Sequence, residues 1–160
     1  MSSFTTTIMT LRAGTELAEA ACYGLLVAKP GNGKAQKMTW PLVSLVTLPT
    51  FVAIADTFLA TMRVLGKSVN PRIELGLLPV RVIMCVVGLR NEKPIMLSGL
   101  SQGAACFANR VEAFKDKISH HESIKGVLSI VEIAIRTWNI IDLAQEVKYR
   151  YNQKPKRIWK

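Results

Sequence analysis

Apolar stretches carrying a narrow polar stripe alternate with short turns along this chain, and the spacing of the stripes is helical. From Ile8 to Ala28, Arg12, Glu16, Glu19 and Tyr23 recur every three or four residues, while Leu11, Ala18, Ala21, Cys22 and Leu25 lie elsewhere on the same helix. Its many small residues (Ala13, Gly14, Ala18, Ala20, Ala21, Gly24) predict close approach of a neighbouring helix. A second helix is expected from about Thr39 to Gly66. Thr39 suits its cap, and Pro41 stands in the first turn, where a missing N–H costs little. Pro49 should kink or break it. Phe51, Ala55, Phe58, Met62 and Leu65 form one row, and Ala53, Asp56, Ala60, Arg63 and Lys67 a second, weakly polar one.

The stretch "ELGLLPVRVIMCVVGL" at 74–89 has two readings. Its β-branched run suits a buried strand pairing with "PIML" across "RNEK", whereas its helical surroundings favour a helix broken near Pro79. A fourth segment, about Ser101 to Ser119, sets Ala104, Ala108, Val111, Phe114 and Ile118 on one side. The fifth, about Glu122 to Tyr151, has a polar stripe of Lys125, Ser129, Glu132, Arg136, Asn139, Glu146 and Arg150. Around it Val127, Leu128, Val131, Ala134, Ile135, Trp138 and Ile141 form one apolar surface, extended by Ile130, Ile133, Ile140 and Leu143. One bundle core needs a single apolar stripe per helix. A helix this apolar is either central or faces a partner, so Val131, Ile135, Trp138 and Ile141 are read as an assembly surface.

These elements predict an all-α fold: a single-domain bundle of four or five helices over residues 1–147, followed by an arm at 148–160. Residues 41–89 form a helical hairpin that is either buried core or membrane-inserted. Residues 41–65 are long enough to cross ~30 Å of hydrocarbon. Residues 73–89 would then return, leaving Asp56 and Arg81 inside apolar spans at a cost of ~2.5–3.5 kcal/mol each unless they pair or face a cavity. Interior prolines and the shorter second span weigh against insertion.

Composition sharpens this picture at one place. Apolar residues at 49% and charged residues at 20% exclude a disordered chain. The net charge of +10 is unevenly spread. The last thirteen residues, "KYRYNQKPKRIWK", carry six basic side chains and no acid. Lys148, Tyr149, Arg150, Tyr151, Lys154, Lys156, Arg157, Trp159 and Lys160 are therefore the expected partner-binding residues. Their partner is an anionic surface, either an acidic protein face or anionic lipid, with nucleic acid as a further candidate.

Motifs for chemistry are weak. "LVAKPGNGKAQ" approaches a phosphate-binding loop through Ala28, Gly33 and Lys34, but Ala35 replaces the hydroxyl residue and Pro41 leaves barely one turn of helix behind it. It reads as a linker. His120 and His121 beside Glu122 point apart and find no third ligand at metal spacing. Cys22, Cys85 and Cys106 are an odd, sparse set, read as reduced core thiols of a reducing intracellular compartment, possible membrane association included. Asp56 and Glu74, if buried, should pair with Arg63 or Arg81. No cofactor, metal or catalytic set is expected. The sequence therefore predicts a non-enzymatic structural subunit, a homo-oligomer or part of a multi-subunit complex, packing through the fifth helix and the basic arm. A membrane protein anchored by the 41–89 hairpin is the alternative, and a nucleic-acid-binding coat protein the second.

Overall fold

The computed structural model describes residues 3–28, 40–67, 71–90 and 93–152; over these the chain is helical, without a strand. Its helices are α1 (Ser3–Ala28), α2 (Trp40–Val64), α3 (Pro71–Leu89), α4 (Lys93–Ala113) and α5 (His121–Asn152), with a 3-10 turn at Lys115–Lys117 before the last. The all-α bundle expected from the periodicity is the fold. Stretch 74–89 is helix throughout, and Pro79 stands inside it on an exposed face. "PIML" gives it no strand partner because those residues open α4, which starts at Lys93 rather than near Ser101. Pro94 fits that first turn, where its N–H has no partner to lose.

Pro49 is likewise accommodated inside α2. That helix ends at Gly66, whose φ of 70° lets the chain close a Schellman turn. The Lys67 N–H donates to Met62 C=O at 2.9 Å and the Gly66 N–H to Arg63 C=O at 3.0 Å. Before α5, His120 takes the left-handed conformation (φ 60°), and its C=O accepts the Ile124 N–H at 3.1 Å.

Packing follows a ring. α1 lies between α2 and α5, α4 between α5 and α3, and α3 meets α2 more sparsely to close the circuit. Cross-contacts set the directions: Arg12 meets Glu132 and Glu19 meets Asn139, so α1 and α5 run parallel. Arg63 meets Met9 while Asp56 meets Arg12, and Glu112 meets Lys125 while Ser101 meets Arg136, so α2 and α4 run the opposite way.

The ring is inverted relative to the sequence expectation of an apolar stripe turned inward. Facing its axis are Arg12, Glu16, Glu19 and Tyr23 of α1, Arg81 of α3, Ser101 and Gln102 of α4, and Ser129, Glu132, Arg136 and Asn139 of α5, all buried. Small apolar residues, among them Ala13, Ala20, Val52, Ala53, Ala105 and Ala108, fill the spaces between them. Large apolar side chains point outward from all five helices: Leu11 and Leu25, Phe51, Ile54 and Phe58, Val82 and Ile83, Phe107, and Ile130, Trp138 and Ile141. The reason is complementarity. The acids of α1 meet the arginines of α3 and α5, and pairing satisfies them where burial alone would expel them.

Close helix approach occurs at a different place from the one the sequence suggested. Gly14 and Gly24 of α1 have open space where a Cβ would stand. At Gly88 of α3, an added Cβ would lie 2.6 Å from the Gly99 Cα and 2.7 Å from the Ile95 carbonyl oxygen. Both groups are backbone and cannot swing aside. Gly88→Ala is therefore expected to destabilise the bundle by about 1–3 kcal/mol, the range for overpacking, whereas Gly14→Ala should be neutral or slightly stabilising. Thermal unfolding of the two variants side by side checks this; equal melting temperatures would contradict the contact.

Candidate functional site: an ionic core inside an apolar sheath

Every helix contributes to the centre of the ring. Arg81, fully buried, donates from Nη1 to Glu16 Oε1 at 3.0 Å and to Gln102 Oε1 at 2.6 Å, and from Nη2 to Asp56 Oδ2. Arg136, also fully buried, donates from Nη1 to Glu132 Oε1 at 2.7 Å and from Nε to Glu19 Oε2 at 3.3 Å. Its Nη2 lies 3.1 Å from Glu16 Oε1 and 3.3 Å from Ser101 Oγ. Arg12 Nε reaches Glu132 Oε1 at 3.1 Å and Asp56 Oδ2 at 3.4 Å. Asn139 Nδ2 donates to Glu19 Oε1 at 2.5 Å and to the Tyr23 hydroxyl at 3.2 Å.

Three carboxylates thus each bridge two guanidiniums: Glu16 joins Arg81 to Arg136, Glu132 joins Arg136 to Arg12, and Asp56 joins Arg12 to Arg81. This closed circuit ties α1, α2, α3 and α5 together, with α4 joined through Gln102 and Ser101. Some buried polar atoms are left without a hydrogen-bond partner among the described residues: Arg12 Nη2, Glu16 Oε2, Arg81 Nε, Glu132 Oε2 and Asn139 Oδ1. A cavity of about 10 Å³ touches Arg12 and Asp56, between Met9, Leu59, Leu77 and Asn109. That is room for roughly one water molecule.

The outer face has the opposite chemistry. No charged side chain is exposed along residues 6–28 of α1, 47–66 from α2, 75–89 of α3, 95–109 of α4 or 123–144 of α5. At about 1.5 Å per residue these faces are ~20 Å tall in α3 and α4 and ~30 Å in α1 and α5. Exposed charge gathers beyond them, with Lys67, Arg72, Arg110, Lys115, Asp116, Lys117 and Glu122 at one end and Arg90, Glu146 and Lys148 at the other. At the first end Lys125 donates to Glu112 at 2.7 Å. Burial pushes the Glu112 carboxyl up, but this ammonium outweighs it and leaves the carboxyl below its ordinary range. Taken singly, no helix among the described residues is long and apolar enough to cross a membrane.

Of the residues expected to bind partners, Val131, Trp138 and Ile141 are exposed and Ile135 is half-buried. Lys148, Tyr149 and Tyr151 are exposed on α5, which continues through them to Asn152. Arg150 is half-buried; it donates to Glu146 at 2.7 Å and to the Leu26 C=O at 3.3 Å. Lys154, Lys156, Arg157, Trp159 and Lys160 lie outside the described residues, as do residues 29–36 of the phosphate-loop-like stretch. Asp56 pairs with Arg81, as its isolation in an apolar stretch predicted, and with Arg12 as well. Among the described residues no three His, Cys, Asp or Glu side chains gather as metal ligands, and Cys22, Cys85 and Cys106 are separate, partly buried thiols.

The ionic core itself went unread in the sequence. Its signal was there: Arg12, Glu16, Glu19 and Tyr23 on one face of α1, and Ser129, Glu132, Arg136, Asn139 and Leu143 on one face of α5, share a helical spacing. Comparisons with protein-family models, curated proteins and solved structures find no match for this chain.

Proposed function

We propose that this protein is a membrane-embedded structural bundle, with its ionic core sealed inside and lipid acyl chains against its apolar sheath. One observation carries the reading: charge is buried at the centre of the ring while large apolar side chains are exposed on all five helices. In water that arrangement is doubly unfavourable, since exposed apolar area is opposed at about 25 cal/mol per Å² and buried ions lose hydration. A single protein partner covers one side of a bundle; hydrocarbon covers every side. The ~30 Å height of the sheath on α1 and α5 approximates a bilayer's hydrocarbon core. The shortfall in helix-by-helix hydropathy has a physical source. All the charges of α1, Arg12, Glu16 and Glu19, are inward, as are Glu132 and Arg136 in the middle of α5, and ionisable residues in membrane bundles characteristically face the interior and pair.

Trp138, 56% exposed within the outward face of α5, gives a direct test. In a Trp40→Phe/Trp159→Phe chain it is the sole tryptophan. In vesicles containing lipids brominated along the acyl chain, most of its emission is expected to be quenched, and the protein should resist alkaline extraction from membranes. Unquenched emission from a protein extracted by alkali would overturn the lipid reading.

A second reading, a structural subunit packed among other protein chains, is favoured by the individual helices falling short of a span. In it Val131, Ile135, Trp138 and Ile141 form the principal contact, and the basic arm from Lys148 to Lys160 meets an acidic surface. Uniform large particles obtained without detergent would support it. The nucleic-acid reading depends chiefly on residues 153–160, outside the described part of the chain.

A further inference from the structure

We infer that the ionic core is a proton-binding site, with one proton held between the carboxyl groups of Glu16 and Asp56. The inference does not depend on whether lipid or protein covers the sheath, because the core is sealed in either case.

The first argument is charge balance. The network contains three guanidiniums, Arg12, Arg81 and Arg136, and four carboxyl groups, Glu16, Glu19, Asp56 and Glu132. Fully ionised, it would carry one uncompensated negative charge, which a low-dielectric interior opposes strongly. One bound proton makes it neutral.

The second argument is geometry, and it says where the proton sits. Glu16 Oε1 and Asp56 Oδ2 sit on the two terminal nitrogens of one guanidinium, Nη1 and Nη2 of Arg81, which sets the two carboxyl groups side by side. Two neighbouring carboxylates offer acceptors only and repel each other when both are ionised, which favours a proton on one of them. Glu16 supplies the oxygen for it. Its Oε1 takes both arginine contacts, while Oε2 is buried and accepts no hydrogen bond. Glu19 accepts from Arg136 and Asn139 through separate oxygens. Glu132 also has a buried, unpartnered Oε2, but its Oε1 holds Arg136 at 2.7 Å, closer than either arginine contact of Glu16 at 3.0 and 3.1 Å. The ionisable groups around Glu16 are Asp56 from α2, Arg81 from α3, Glu132 and Arg136 from α5, and Arg12 and Glu19 on α1 itself. From α4 come Gln102, through its bond to Arg81, and the Cys106 thiol, within electrostatic reach of Arg81 and Arg12.

The test is infrared spectroscopy of the purified full-length chain at neutral pH, reading the C=O stretch of a protonated carboxyl, with Glu16→Gln and Asp56→Asn as variants. A single protonated-carboxyl band is expected in the parent chain and should disappear in either variant, since each leaves three acids against three arginines. Glu16→Gln should also melt close to the parent because the amide reproduces the shape of the protonated acid. Glu146→Gln, on an exposed pair, should leave the band in place. Absence of the band in the parent chain, or its survival unchanged in both core variants, would overturn the assignment.

Discussion

Arg136→Leu should leave no stably folded bundle. The guanidinium holds Glu132 at 2.7 Å, Glu16 at 3.1 Å and Glu19 at 3.3 Å, and it is fully buried. Its loss leaves Glu132 with Arg12 and Glu16 with Arg81, but Glu19 keeps no cation, only neutral donors such as the Asn139 amide. Breaking a buried pair by removing one partner costs about 3–5 kcal/mol, a large share of the ~5–15 kcal/mol that holds a domain folded. Arg136→Lys should recover little, since one ammonium cannot reach three carboxylates set around a planar fork. A second substitution, Glu19→Gln, made in the Arg136→Leu background should restore part of the loss, because it removes the acid left most exposed to that deletion. The cycle is expected to give a coupling above ~1 kcal/mol. Arg150→Leu is the control: its pair with Glu146 is half in solvent, and such pairs contribute ~0.2–1 kcal/mol. Protease resistance and thermal unfolding of these variants, together with Glu19→Gln alone, provide the measurement. Additive losses, or an Arg136→Leu chain that melts like the parent, would refute the closed circuit.

The second large effect distinguishes lipid from water around the sheath. Ile130, 52% exposed, lies near the middle of the uncharged outer face of α5. On a surface in water, Ile130→Arg should change stability by no more than about 0.5 kcal/mol, and it should improve solubility. Against hydrocarbon, an arginine near mid-helix costs about 2.5–3.5 kcal/mol. The expectation is a marked fall in alkali-resistant, membrane-recovered protein for Ile130→Arg, with little change for Glu146→Arg beyond the sheath. Normal recovery of the Ile130 variant would remove the principal support for a lipid surround.

How much of this could be read from the sequence depends on the feature. Helices were legible because 3.6-residue periodicity is local, and all five emerged from it, α3 only after its strand alternative was set aside. The Asp56–Arg81 pair was legible too: an acid and a base isolated in apolar stretches must find each other or stay out. What could not be read from one helix at a time was the direction its stripe faces, since an amphipathic helix has the same pattern whether its polar side meets water or other polar sides. That choice is made by the partners. The stripe of Glu16 and Glu19 turns inward because Arg136 and Arg81 do, and this is visible only when stripes are compared for opposite charge. The Gly88–Gly99 contact is tertiary in the same way, being two unremarkable glycines until α3 and α4 are laid antiparallel.

The partners of α1 are spread along the chain: Arg12 meets Asp56 of α2, Glu16 meets Arg81 of α3, and Glu19 and Tyr23 meet Arg136 and Asn139 of α5. During synthesis Arg12 and Glu16 therefore find a counterpart as α2 and α3 follow, whereas Glu19 waits for the arginine of α5. A product cut short before α5 would keep the Arg12–Asp56 and Glu16–Arg81 pairs but leave Glu19 without its arginine, so closure of the circuit reports that α5 has been made.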